Sequence, residues 1–285
     1  HTARATNFRI GSRTGFATPP TIFGNGDVHN ADSGLPGPGT IITGHATTHP
    51  VLVIEGARRA DIVGITLDGG IDTSAYSATG QTPTLEATWT TVFGADSRYA
   101  PSCAIAIDPY LGTKPTGGYA DVTYHSNQSS NVYLTNIVIR NFPVAIALQP
   151  ADADSNGDFL TVNGLDILNC KYGISVGNGQ SRNVGGTKIN GANIHTIIAT
   201  NVHGKQIGAL QGHFSNCSFA GYIGRVFSIS SLSVAGPIVM TSFNCESLHR
   251  IGDFSGNTTE QPMTFIGCKF NFRHDSQGIH PANVM

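Results

Sequence analysis

The stretch Val162-Asn-Gly-Leu-Asp-Ile-Leu-Asn-Cys-Lys-Tyr-Gly-Ile-Ser-Val176 decides the fold. Its first eight residues read apolar, any, Gly, apolar, any, apolar, any, Asn. Ile62-Val-Gly-Ile-Thr-Leu-Asp-Gly69 and Leu134-Thr-Asn-Ile-Val-Ile-Arg-Asn141 follow the same template, and Ile189-Asn-Gly-Ala-Asn-Ile194 is a weaker copy. From Leu134 to Val162 is 28 residues and from Val162 to Ile189 is 27. A second strand follows the template: Val144-Ala-Ile-Ala-Leu148 matches Gly173-Ile-Ser-Val176, and Cys103-Ala-Ile-Ala-Ile107 reads as one copy earlier.

Alternation of apolar and other residues puts one face of each strand inward and the other outward. Short strands with a period of about 20–30 residues mark a solenoid. Asn and Gly fit its corners, because they tolerate left-handed backbone angles. The pair Asn169-Cys170 returns as Asn216-Cys217 and Asn244-Cys245, and softened as Gly267-Cys268. The expectation is that Asn turns each corner, that corner Asn residues form a ladder, and that Cys or Phe142 begins the inward stack behind them. On that reading four cysteines share one repeated position.

A doubly wound α/β fold would need amphipathic helices, and no convincing 3.6-residue apolar stripe is present. A β-sandwich would show hairpin turns between strands, whereas Asn-Gly here lies inside the strand copies. The sequence therefore predicts an all-β chain. Its architecture is a single-stranded right-handed parallel β-helix (a solenoid) of about eight or nine coils with long loop excursions. Residues 1–40 read as a leading segment or cap and 41–285 as the β-helix domain, with excursions at 71–100 and 109–130.

Charged residues are only 12% of the chain, and a net charge of −2 with a pI of 6.6 gives no electrostatic case for nucleic acid or an anionic membrane. No apolar run reaches the ~18–20 residues needed to span a bilayer. Five cysteines make an odd count without a CxxC pair, so small buried thiols are expected rather than disulfides or metal ligands. The chain opens on His1 without a basic-then-apolar leader. The expectation is a processed product or fragment folded in a reducing cytoplasm.

The excursions hold the only tryptophan, Trp89, and the tyrosines Tyr76, Tyr99, Tyr110, Tyr119 and Tyr124. Rings with polar tips among Ser, Thr and Gly suit stacking on sugars, and Trp89, Tyr99, Tyr110, Tyr119 and Tyr124 are the candidate glycan-binding residues. The alternative is that the rings fold each loop down against the solenoid. A third loop, Asp152-Ala-Asp-Ser-Asn-Gly-Asp158, matches the opening of a calcium loop, with Asp152, Asp154 and Asn156 as candidate ligands. Position twelve is Asn163 rather than Glu, so a solvated acidic turn is the competing reading and no cofactor is required. Asp108 ends the equivalent strand one copy earlier. Asp108, Asp154 and Asp158 are therefore the candidate catalytic carboxylates for a glycosidic bond, which needs two acids ~5–9 Å apart. Asp68 with Arg140, and Glu246 with Lys269, are expected as vertical surface ion pairs of small value.

The segment Val51-Leu-Val-Ile-Glu-Gly-Ala-Arg-Arg-Ala-Asp-Ile-Val-Gly-Ile-Thr-Leu-Asp-Gly69 resembles a first full coil of the pectate-lyase-like β-helix superfamily. The resemblance covers roughly residues 40–275 and is a fold-level pattern. That superfamily includes secreted pectin and alginate enzymes and the trimeric tailspikes and tail fibres of bacteriophages, and fold alone does not choose among them. The NTD, DD, GHG and RIK segments of polygalacturonases are absent, and the DPH of alginate epimerases is met only by Asp108-Pro-Tyr110. The chain thus looks most like a phage tailspike or tail fibre.

That resemblance implies a virion protein made in the host cytoplasm and released by lysis. It would be a homotrimer that meets other virion proteins, and it would bind bacterial surface polysaccharide, with cleavage as a further capacity. Nucleic acid and membrane insertion are not expected. Two other classes fit the same residues: a free-standing polysaccharide lyase or glycoside hydrolase, and a structural virion component without glycan affinity.

Overall fold

The computed structural model describes residues 2–4, 8–10, 21–23, 40–43, 50–54, 59–71, 103–107, 131–148, 159–176, 184–203, 210–221, 225–229, 238–248, 250–254 and 263–272. These residues form strands and no helix. In chain order they are β1 (Thr2–Arg4), β2 (Phe8–Ile10), β3 (Thr21–Phe23), β4 (Thr40–Thr43), β5 (Leu52–Ile54), β6 (Ala60–Val63), β7 (Ile65–Asp68), β8 (Cys103–Ile107), β9 (Val132–Arg140) and β10 (Val144–Leu148). They continue as β11 (Thr161–Val176), β12 (Val184–His203), β13 (Leu210–Ser215), β14 (Ser218–Gly221), β15 (Arg225–Ile229), β16 (Ile238–Thr241), β17 (Asn244–Leu248), β18 (Arg250–Phe254), β19 (Met263–Ile266) and β20 (Lys269–Phe272).

Every pairing among them is parallel, and the described residues are all-β. The early strands pair with the third strand on: β1 with β4, β2 with β5, β3 with β6. Three columns result. Column A runs β1–β4–β7–β9–β11–β12–β14–β17–β20. Column B runs β2–β5–β8–β10–β11–β12–β15–β18. Column C runs β3–β6–β9–β11–β12–β13–β16–β19. The long strands β9, β11 and β12 bend through a corner and serve more than one column. The strands β1, β2 and β3, from the segment expected as a lead or cap, pair in these same three columns.

The register is the one the template predicts. Ile62, Leu134, Val162 and Ile189 are paired in succession, as are Cys103 with Val144 and Ile146 with Ile174. Their side chains form continuous apolar stacks. Leu67, Ile139, Ile167 and Ile194 lie in register in column A and are fully buried. Each such side chain contributes about 1.5–3 kcal/mol by leaving water. The stack meets solvent at its last strands, where Phe265 and Ile266 are exposed and Phe265 packs edge-on against Phe270 at 5.5 Å.

Left-handed residues mark the corners. Gly64, Asn136, Gly164, Gly191, Asn216, Ser242 and Gly267 all stand where column C turns into column A, with φ between 52° and 71°. At Gly164 the need is double, since a Cβ would also lie 2.6 Å from Asn136 Oδ1. Asn141 and Asn169 turn the corner from A to B. At the C-to-A corner a continuous Asn ladder does not form, because Asn136 is flanked in that stack by Gly64 and Gly164. The described side-chain steps are shorter: Asn216 Nδ2 and Ser215 Oγ donate to Asn190 Oδ1 at 3.0 and 3.2 Å, and His213 Nε2 lies 3.0 Å from Thr241 Oγ1.

The cysteines are free and not disulfide-bonded, as expected, but they do not share one position. Cys217 and Cys268 follow the C-to-A corner with Phe243 between them, Cys170 follows the A-to-B corner, and Cys245 lies inside a strand of column A. The Asn-Cys pair recurs because two different corners and one strand happen to present it. Asn244 pairs with Ser218 and is not a corner residue.

Burial keeps the thiols of Cys103, Cys170, Cys217 and Cys245 protonated. Desolvation, only partly offset by backbone hydrogen bonds, raises Cys170 from 9.0 to about 12, and burial raises Cys103, Cys217 and Cys245 as well. Because the folded value is raised, this contribution to stability is complete below about pH 9. It is lost as pH climbs from there toward 12, when the unfolded chain's thiols ionise and the folded ones do not. Cys268, at the exposed end of the stack, is only partly buried. Titration of the native protein with an aromatic disulfide reagent is expected to label one thiol per chain quickly and the other four only after denaturation. Rapid labelling of several would contradict the packing.

Candidate functional site

Trp89, Tyr99, Asp108, Tyr110, Tyr119, Tyr124, Asp152, Asp154, Asn156 and Asp158 lie outside the described residues. The described strands fix where their segments begin and end. The C-to-A corner residues fall at intervals of 28, 27, 25, 26 and 25 from Asn136 onward (136, 164, 191, 216, 242, 267). From Gly64 to Asn136 the interval is 72. Both long excursions therefore fall within one interval, longer than the 39–44 residues between the paired strands ahead of it and the 25–28 of the corners after it. Ile107 is in register with Leu148, so the segment opening at Asp108 and the segment 149–158 leave column B from neighbouring strand ends. They return to column C at Asn131 and Phe159, each two residues ahead of the registered pair Tyr133 and Thr161.

The corner that precedes the first excursion is clamped. Asp68 accepts from Arg140 Nε at 2.8 Å, from Asn141 Nδ2 at 3.0 Å and from the Gly70 amide at 2.9 Å. The expected Asp68–Arg140 pair is present, and it is only 17% and 22% exposed at the two side chains. Asp68 thus does more than pair with a surface cation. It closes a turn through its own backbone neighbour and ties two strands together, which charge-assisted bonds in a partly buried setting make stronger than a solvated pair. Asp-Gly-Gly at 68–70 carried the signal for that turn. The second expected pair does not form a stack, since Lys269 is in register with Asn244 and Glu246 with Ala220.

Two faces near the excursions differ in access. All five residues of β8 and of β10 are buried, and Lys171, Tyr172 and Ser175 continue that burial in β11. Successive side chains point to opposite faces, so both faces of column B are covered at these strands. Alanines at 104, 106, 145 and 147 provide the small side chains that close cover requires. The Lys171 ammonium lies 5.3 Å from the Tyr172 ring centroid. In column A, Thr66 and Val138 stand in register and are buried, and the Thr66 hydroxyl finds no partner among the described residues.

Column C is open by contrast. Its outward row runs Asp61, Tyr133, Thr161, Lys188 and His213 through successive registered pairs, none of them buried. Arg59 Nε meets Asp61 Oδ2 at 3.1 Å, and its guanidinium carbon lies 5.4 Å from the Tyr133 ring centroid. Phe159, 53% exposed, holds a left-handed φ of 59°. Sequence reasoning passed over Tyr133 because it sits in a regular strand, and over Phe159 because nothing local marks a left-handed phenylalanine.

Among the described residues no group of His, Cys, Asp or Glu is placed to hold a metal ion, and no helix is long and apolar enough to cross a membrane. Compared with known proteins, the chain matches no family model, no curated protein and no solved structure.

Proposed function

We propose that the three columns are the faces of a single-stranded right-handed parallel β-helix. We further propose that the protein is a phage virion receptor-binding protein, a tailspike or tail fibre, that binds bacterial surface polysaccharide. The winding is supported by the repeating strand order and by the strong preference of parallel crossovers for the right hand. The function is carried by one observation: the interval of 72 residues from Gly64 to Asn136, against 25–28 in the five corner intervals that follow and 39–44 between the paired strands of the first coil. A regular stack inserts two long segments at one level only where they do something the stack does not. Those segments hold Trp89, Tyr99, Tyr110, Tyr119 and Tyr124, residue types suited to sugar faces and hydroxyls.

The neighbouring origins of the segments that contain Asp108 and Asp154 and Asp158 support the further reading that these carboxylates cleave a glycosidic bond. Asp152, Asp154 and Asn156 are the oxygen ligands a calcium ion would take there. The protein acts in the virion as a homotrimer alongside other virion proteins. Replacing Trp89 and Tyr119 together by Ala is expected to abolish binding to an immobilised bacterial polysaccharide that the parent chain binds, with the melting temperature little changed. Unaltered binding would remove the excursions from the site.

A further inference from the structure

We infer that Phe159, with Thr161 two residues on along the chain and Tyr133 on the adjacent strand, forms a sugar-stacking subsite on column C where the segment 149–158 rejoins the strands. The inference rests on the polysaccharide-binding reading and locates part of that site on described residues. Phe159 carries two costs at once. Its ring is 53% exposed, and its φ of 59° lies in a region that bulky side chains avoid. Phe159 is not one of the residues of the buried core. One strand earlier the equivalent place is held by Asn131, also at φ 59°, and Asn is a residue type that tolerates this conformation. Strain of this kind persists where a function requires it.

What the position offers is a phenyl ring open to water and anchored by the fully buried Leu160 that follows it. Thr161 lies two residues on along the same chain, Tyr133 one strand away, and Arg59 and Asp61 one strand further, successive strands being ~4.8 Å apart. Arg59 is oriented by Asp61 at 3.1 Å and by the Tyr133 ring at 5.4 Å, and Thr161 is in register with Tyr133. A saccharide laid on the Phe159 ring and continuing across column C would meet an alcohol and a phenol first and a guanidinium and a carboxylate one strand beyond, which together donate and accept.

The test compares the intact chain with Phe159→Asn and Phe159→Tyr in thermal unfolding, in oligomeric mass, and in binding to immobilised capsular and lipopolysaccharide-derived bacterial polysaccharides. Phe159→Asn is expected to raise the melting temperature by about 2 °C. The same variant is expected to weaken binding about tenfold or more. Phe159→Tyr keeps the ring and is expected to keep the binding. An Asn variant that melts earlier and binds as before makes Phe159 a structural residue and overturns the inference. Unchanged binding with an altered oligomeric mass assigns the ring to an interface between copies, and overturns it too. A parent chain that binds none of the polysaccharides removes the broader reading, and this subsite falls with it.

Discussion

Gly69→Ala is expected to lower the stability of the fold by about 3 kcal/mol or more, and Gly70→Ala next to it by only about 1 kcal/mol. The two glycines fail for different reasons. Gly69 is buried at the corner between columns A and B, and its amide donates to the Arg140 carbonyl at 3.0 Å. A Cβ there would lie 2.1 Å from the Asn141 carbonyl oxygen, 2.9 Å from its carbon and 3.2 Å from Phe142 Cδ1. The obstacle is backbone, so no rotamer change relieves it.

Moving Asn141 disturbs its bond to Asp68 at 3.0 Å and the seating of Phe142, one of the largest fully buried side chains. Gly70 has φ +67° and open space around its would-be Cβ, so Ala there meets conformational strain alone. Denaturant unfolding of the two variants measures the difference. A larger loss at Gly70 than at Gly69 would show that the close approach of the two strands is misplaced.

Ile167→Ala is expected to cost about 2–5 kcal/mol. Ile167 is fully buried and stands between Ile139 and Ile194 in an unbroken apolar stack. Truncation removes contacts to the strand on each side, and neighbouring strands ~4.8 Å apart leave little room for the stack to close over the void. Thr135→Ala, on the outward side of column C and only partly buried, is expected to change stability by less than about 0.5 kcal/mol. Equal losses at the two positions, read by the same denaturant titration, would contradict the assignment of inward and outward faces.

Much of the register was legible because two physical signals coincide in the same eight residues. The apolar alternation of Val162, Leu165 and Ile167 marks what is buried, and Gly164 and Asn169 mark where the backbone turns left-handed. Either signal alone misleads. The Asn-Cys dipeptide has a corner meaning at Asn169 and Asn216 but not at Asn244, which lies within a strand two residues past the true corner at Ser242. Serine carries no signal for that conformation, so this corner was invisible to composition.

The strands Thr2–Arg4, Phe8–Ile10 and Thr21–Phe23 were illegible for another reason, as three residues cannot display a period. Of the candidate site, sequence revealed the excursions at residues 71–100 and 109–130 and their aromatic content. It did not reveal the open row on column C. That row depends on which outward positions are left uncovered, and coverage is a property of packing between segments far apart in the chain.

The most direct test of the central claim is saturable binding of the unmodified, folded chain to a panel of purified bacterial capsular and lipopolysaccharide-derived polysaccharides. Saturable binding to at least one of them is expected, competed by the same polymer free in solution. A correctly folded chain with no affinity for any of them would contradict the receptor-binding function and favour a structural role for the same stack of strands.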